Sequence, residues 1–289
     1  MFQKKYEIIK NSPKVISWDK YEKEINEEFA EMLLNDGDNE HCFQAFFERN
    51  PSIVPGALGM LGESGHYPYP GALITQPQIE GMRNTIPDFL WLSTNSGIFA
   101  PIFIEIEAPN KRLFTSNGKP SAVFTEALEQ LTEWKAVMNK PANIQVFYEK
   151  YSIPYWLRER KFKPFYVLIY GRRIEFGNDK WLSNKRSELM REDEIIMSFD
   201  RINPNQKLKY IICSQVSGGE YYVKNIPPTY KLGPSLADFH SIVKGFKEAV
   251  IKMEKTSDER KAFLIERFDY WQNFGRSKDQ GIIYTGDYE

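Results

Sequence analysis

Residues 18–35 set Tyr21, Ile25, Phe29 and Met32 or Leu33 at helical intervals, which predicts an amphipathic helix. "DGDN" breaks that pattern, and "EHCFQAFFERNP" predicts a second helix closed by Asn50-Pro51. Residues 55–81 are rich in Gly, Pro and Tyr. They are long for a plain loop and hide a hairpin or carry a role of their own. Two strand-like runs follow, "PDFLWLS" and "APIFIEIEAP", joined by the turn signal "TNSG". "PSAVFTEALEQLTEWKAVMN" has helical spacing, with Pro120 suited to the first turn. "IQVFYE" (144–149) and "KPFYVLIYGRR" (163–173) read as strands. After "IIMSFDRI", the stretch "LKYIICSQVSGGEYYVKN" predicts a hairpin turned at Ser217-Gly218-Gly219. Two helices, over about 236–254 and 257–274, complete the series. The order of elements predicts an α/β chain with a mixed sheet flanked by helices.

Composition narrows this picture. The chain has 289 residues, 15% of them aromatic, enough to bury a sizeable core. No apolar run approaches the ~20 residues of a membrane span, and "MFQKKYEIIKNSPK" has no signal-peptide core. Two cysteines, Cys42 and Cys213, stand far apart, which fits a reducing, cytoplasmic setting. The net charge of −1 excludes a generally basic coat. The segment 158–191 nevertheless carries ten Lys/Arg against four Asp/Glu, a candidate phosphate-facing surface.

The chemistry concentrates in "IPDFLWLSTNSGIFAPIFIEIEAP", residues 86–109. Strand alternation puts Ile102, Ile104 and Ile106 on one face and Phe103, Glu105 and Glu107 on the other. A hairpin would bring Asp88 across to the two glutamates. Such an E-x-E is often only the wet face of a strand. Where three carboxylates converge in an apolar setting, something cationic must offset them, and a Mg²⁺ or Mn²⁺ site is the natural reading. Such a site suits phosphodiester hydrolysis.

The order Pro87-Asp88, Glu105-Ile106-Glu107, then a helix with "QLTEW" (130–134), resembles the PD-(D/E)XK nuclease superfamily. Within it, the chain looks like the Shedu-type antiphage-defence nuclease domain. The supporting pieces are Glu40 with Gln44 to Pro51, "PDF" at 87–89, "LIYGRR" at 168–173 and "SFDRI" at 198–202. The resemblance covers roughly residues 38–203, between an N-terminal helical extension (1–37) and a C-terminal hairpin with helices (204–289). It implies a restriction-endonuclease-like core and a metal-dependent DNA endonuclease in bacterial antiphage defence. It also implies that Asp88, Glu105 and the main-chain carbonyl of Ile106 bind the metal. Glu40 and Gln130 assist, Glu40 by holding or orienting a second metal and Gln130 by orienting water, metal or phosphate.

One position departs from the pattern. Glu107 stands where the superfamily usually has a lysine that steadies the phosphate as a point charge. Glutamate can bind metal or act as a base, or a lysine can arrive from elsewhere; Lys111 and Lys119 in the next loop are both open to that role. The alternative is an impaired nuclease fold that binds DNA ends, a phage protein or a partner protein. Arg172, Arg173, Lys185 and Arg186 are the expected DNA-phosphate contacts, and relatives of this type imply a homo-oligomer. His66, Tyr67 and Tyr69 could meet nucleic acid or merely cover the core. His41 and His240 read as structural, and the glycine-rich pieces lack the lysine and spacing of a P-loop, which excludes a nucleotide cofactor of that kind.

Overall fold

A computed structural model describes residues 3–79, 86–177 and 179–289. The end of the 55–81 connector, from Glu80, lies outside these residues. The chain opens with α1 (Trp18–Asn35), α2 (Glu40–Arg49), β1 (Tyr69–Thr75), β2 (Phe89–Thr94) and β3 (Ile98–Ile106). It continues through α3 (Ala122–Met138), α4 (Pro141–Lys150), α5 (Tyr155–Arg158), β4 (Lys161–Phe162) and β5 (Phe165–Ile169). Next come α6 (Lys180–Glu188), β6 (Glu194–Met197), β7 (Ile212–Ser217) and β8 (Glu220–Asn225). The last elements are α7 (Ala237–Ile242), β9 (Val243–Lys244), α8 (Phe246–Ile251) and α9 (Asp258–Arg276).

The strands form one mixed sheet in the order β6-β5-β3-β2-β1-β7-β8-β9, with β4 paired to the start of β3. Strands β3, β5 and β6 run parallel, whereas β2 is antiparallel to both its neighbours. Every residue of β2 is buried, so its continuous apolar run reflects a strand covered on both faces. On one face, Ile102, Ile104 and Ile106 pack with Phe29 of α1 and Phe43, Phe46 and Phe47 of α2. On the other, Phe103 packs with Leu131 and Trp134 of α3. Each such fully buried side chain contributes about 1.5–3 kcal/mol of transfer free energy.

Local chemistry accounts for the element ends. Ser17 and Ser121 cap α1 and α3 by accepting from the amides of Lys20 and Phe124. Pro120 therefore stands just outside α3 rather than in its first turn. The β7–β8 hairpin turns at Gly218 and Gly219, with φ of 58° and 79°, the left-handed pair that a two-residue turn demands.

Two predicted elements fail. Residues 144–149 lie within α4, not in a strand. Pro141 starts that helix, and Phe147, Tyr148 and Tyr151 fall on its buried side. The helix expected over 236–254 is broken into α7 and α8. Between them, Val243 and Lys244 add to the sheet beside β8, and Gly245 turns the chain at φ 70°.

Candidate acidic site at the end of the sheet

The β2–β3 register pairs Phe89 with Ile104, so its next step sets Asp88 beside Glu105. Asp88 is anchored there: its Oδ2 accepts from the Ile106 amide at 2.8 Å, and its carbonyl accepts from Gln76. β3 ends at Ile106, so Glu107 lies one residue past the strand, although its amide still donates to the Ile169 carbonyl of β5 at 3.0 Å. Glu40 begins α2, where the helix dipole favours an acid.

These acids feel one another. Burial drives the Asp88 pKa up to about 8 against the pull of the Ile106 amide, and the charges of Glu40, Glu107 and Glu48 add to the rise. Glu105, only 9% exposed, is raised well above the usual carboxylate range by burial and then by Asp88, Glu107 and Glu40. Glu107 is also raised by burial, partly offset by Lys111. Asp88, Glu105, Glu107 and Glu40 thus act on one another through their charges.

Two of the acceptors singled out from the sequence lack partners. Glu105 Oε2 and, on α3, Gln130 Oε1 are buried with no hydrogen bond. A buried acceptor left unpaired costs about 1–3 kcal/mol, so each calls for a donor or a cation. Among the described residues, however, no three His, Cys, Asp or Glu side chains are grouped to hold a metal ion. Asp88 faces the Ile106 amide, and Glu107 is drawn to Lys111.

Of the two loop lysines, Lys111 is the one that lies among the acids. Its ammonium contacts Glu107 directly and stands 3.5 Å from Glu40, whereas Lys119 is exposed and meets Thr115 through its backbone. The Lys111 loop is held from both sides. Asn110 donates from its backbone to the Gly37 carbonyl, and Glu175 accepts the amides of Leu113 and Phe114 at 2.9 and 2.8 Å. Gly171, at φ 67°, lets the loop lie close, since a Cβ there would come within 2.7 Å of Leu113.

The basic candidates separate into two kinds. Arg172 is tied into the fold by Asp200 at 2.9 Å and the Leu33 carbonyl, and Lys185 donates to the Gly118 carbonyl at 2.7 Å. Arg173 and Arg186 instead line a surface cavity together with Arg201. His240 is a core residue: its Nε2 meets the Tyr230 hydroxyl at 2.6 Å, and burial lowers its pKa to about 3.

Sequence reasoning passed over Glu48, which is buried on α2 and accepts from Thr75 and Lys224. Its position two helical turns after Glu40 was the available signal. It also passed over Glu175 and Arg201, whose placement depends on tertiary contacts.

A mixed-sheet α/β fold with a buried acidic cluster at the mouth of its central strands defines the class. The family described as the Shedu protein SduA, C-terminal, matches residues 37–202, more than half of the chain. The chain belongs to this Shedu family, which suggests a role in antiphage defence. No curated protein matches it. Among the described residues no helix is long and apolar enough to cross a membrane.

Proposed function

We propose that the chain is a divalent-metal-dependent DNA endonuclease of antiphage defence, with a PD-(D/E)XK-type core. The observation that carries this reading is the unpartnered Glu105 Oε2 inside a cluster of mutually repelling acids. Carboxylates and a main-chain carbonyl are the hard oxygen donors that Mg²⁺ or Mn²⁺ prefers, so the residues fit the ion. Asp88, Glu105 and the Ile106 carbonyl would hold it. When bound, it supplies an activated water and neutralises charge on the phosphate.

The chain's own groups supply the rest. Lys111, drawn in by Glu107 and Glu40, provides the point charge that the strand lysine gives in the E-x-K pattern. Glu107 positions that ammonium and can accept a proton from the attacking water. Glu40 balances the second side of the lysine, and Gln130, with its free Oε1, orients water or phosphate. The exposed Arg173 belongs to the face that meets DNA, and a homo-oligomer would present more than one site to a duplex.

The direct test is plasmid nicking or cutting. It should require Mg²⁺ or Mn²⁺ and vanish in Asp88→Ala. Plasmid, linear and single-stranded DNA all left intact with either metal would refute the reading. A second reading is favoured by two observations: Lys111 already occupies Glu107, and among the described residues no acid trio stands grouped for a metal. On it, the chain is an impaired nuclease fold that binds DNA or a protein. DNA binding indifferent to metal and to Asp88→Ala would select that reading.

A further inference from the structure

Away from the acidic cluster, a cavity of about 470 Å³ opens between the segment after β5, α6 and the segment after β6. Arg173, Arg186 and Arg201 line it, with Phe176, Ser183 and Ser198. These arginines come from three separate stretches of chain, so the fold gathers them. Gathering like charges is unfavourable unless an anion joins them.

The nearby carboxylates are committed elsewhere. Asp200 accepts from Arg172 Nε and from the Arg173 backbone amide. Asp179 lines the cavity but caps α6, accepting from the amides of Trp181 and Leu182 at 2.9 and 3.1 Å. Arg186 is the most recessed of the three. Its guanidinium lies 5.2 Å from the centre of the Phe176 ring, and its Nε is buried with no hydrogen-bond partner. Burial, and then the charges of Arg201 and Arg173, lower its pKa from the ordinary value.

We propose that this cavity is a binding site for a phosphomonoester, the terminal phosphate of a free mononucleotide or of a nucleic-acid 5′ end. A guanidinium fork offers paired donors to phosphate oxygens, and Arg186, over the Phe176 ring, still has an unpaired Nε donor. A terminal phosphate is close to doubly charged at neutral pH and projects from its ligand, so it can reach Arg186. An internal backbone phosphate carries one charge and is flanked by sugars, which keeps it at the rim. The volume leaves room for more than the phosphate, and Phe176 offers an apolar wall. The site stands independently of whether the acidic cluster cleaves DNA.

The test uses the full chain without added metal and follows melting temperature and competitive binding. Its probes are inorganic phosphate, a 5′-mononucleotide, the matching nucleoside, and one short oligonucleotide with a 5′-phosphate or a 5′-hydroxyl. Phosphate and the mononucleotide should stabilise the protein and the nucleoside should not. Arg173 and Arg201 are exposed. The double variant Arg173→Gln/Arg201→Gln should therefore keep the fold yet weaken mononucleotide binding at least tenfold. Arg186→Lys, which keeps the charge and loses the fork, should weaken it as well. Tighter binding of the phosphorylated oligonucleotide than of the mononucleotide would identify a nucleic-acid end as the source, and the reverse order a free nucleotide. Equal binding of nucleoside and nucleotide, or unchanged affinity in the double variant, would overturn the proposal; equal binding of the two oligonucleotides beside tight mononucleotide binding would assign the site to a free nucleotide.

Discussion

Asp88→Asn should make the metal-free protein more stable at neutral and alkaline pH. The Asp88 pKa stands at about 8 in the folded protein, against an ordinary value of 3.8. Between these values the native state holds a proton that the unfolded chain has released. Stability is therefore lost as pH rises through the window from about 4 to 8, and the whole loss is in place above it. Each unit corresponds to about 1.4 kcal/mol, so the rise sets a ceiling near ~6 kcal/mol. The ceiling is not reached, because asparagine brings a polar amide into the same buried site. A gain of about 2–4 kcal/mol at pH 8 is expected, equivalent to about 3–7 °C in melting temperature. Asparagine retains an oxygen for the Ile106 amide, so the anchoring bond survives. The assay is urea or thermal unfolding in chelator at pH 5 and pH 8. The gain should be large at pH 8 and shrink towards pH 5. A variant that is no more stable than the parent at pH 8, or a gain equal at both values, would refute the reasoning.

Lys111→Met should reduce plasmid nicking by about 10–100-fold while changing stability by less than about 1 kcal/mol, because the lysine side chain is 37% exposed. The double variant Glu107→Lys/Lys111→Met, which returns the lysine to the strand end, should regain part of that activity; equal nicking by Lys111→Met and the parent would remove the lysine from the mechanism. Gly275→Ala should destabilise the fold by about 2–3 kcal/mol in urea unfolding, since its Cβ would lie 1.9 Å from the Ala237 carbonyl oxygen where α9 meets α7. An unchanged urea midpoint would contradict that contact.

What could be read from the chain followed from strong periodicity and local chemistry. Alternation along residues 98–106 identified a strand with different residues on its two faces, and the register with β2 carried Asp88 to Glu105. The α4 segment misled because a short apolar run suits either a strand or a buried helix. Pro141 at its start and the spacing of Phe147 to Tyr151 were the signals for a helix. Glu107 was placed in the strand, but the strand ends one residue earlier, and no local signal marks that end. That Lys111 rather than Lys119 lies beside the acids could not be read locally, because its position rests on Glu40 in α2 and on the Glu175 clamp. Arg201 was hidden for the same reason: it lies outside the basic segment and joins Arg173 and Arg186 only in the folded chain.

The sheet does not stop where the family match does. The match ends at residue 202, yet Ala72, Leu73 and Ile74 of β1, within it, pair in parallel with Ile212, Cys213 and Ser214 of β7, beyond it. Cut at the boundary of the match, the molecule would expose a buried, apolar strand edge, a template for sticky pairing between chains. The part after residue 202 thus has a duty that its own sequence does not announce, which is to keep the acid-bearing half from aggregating.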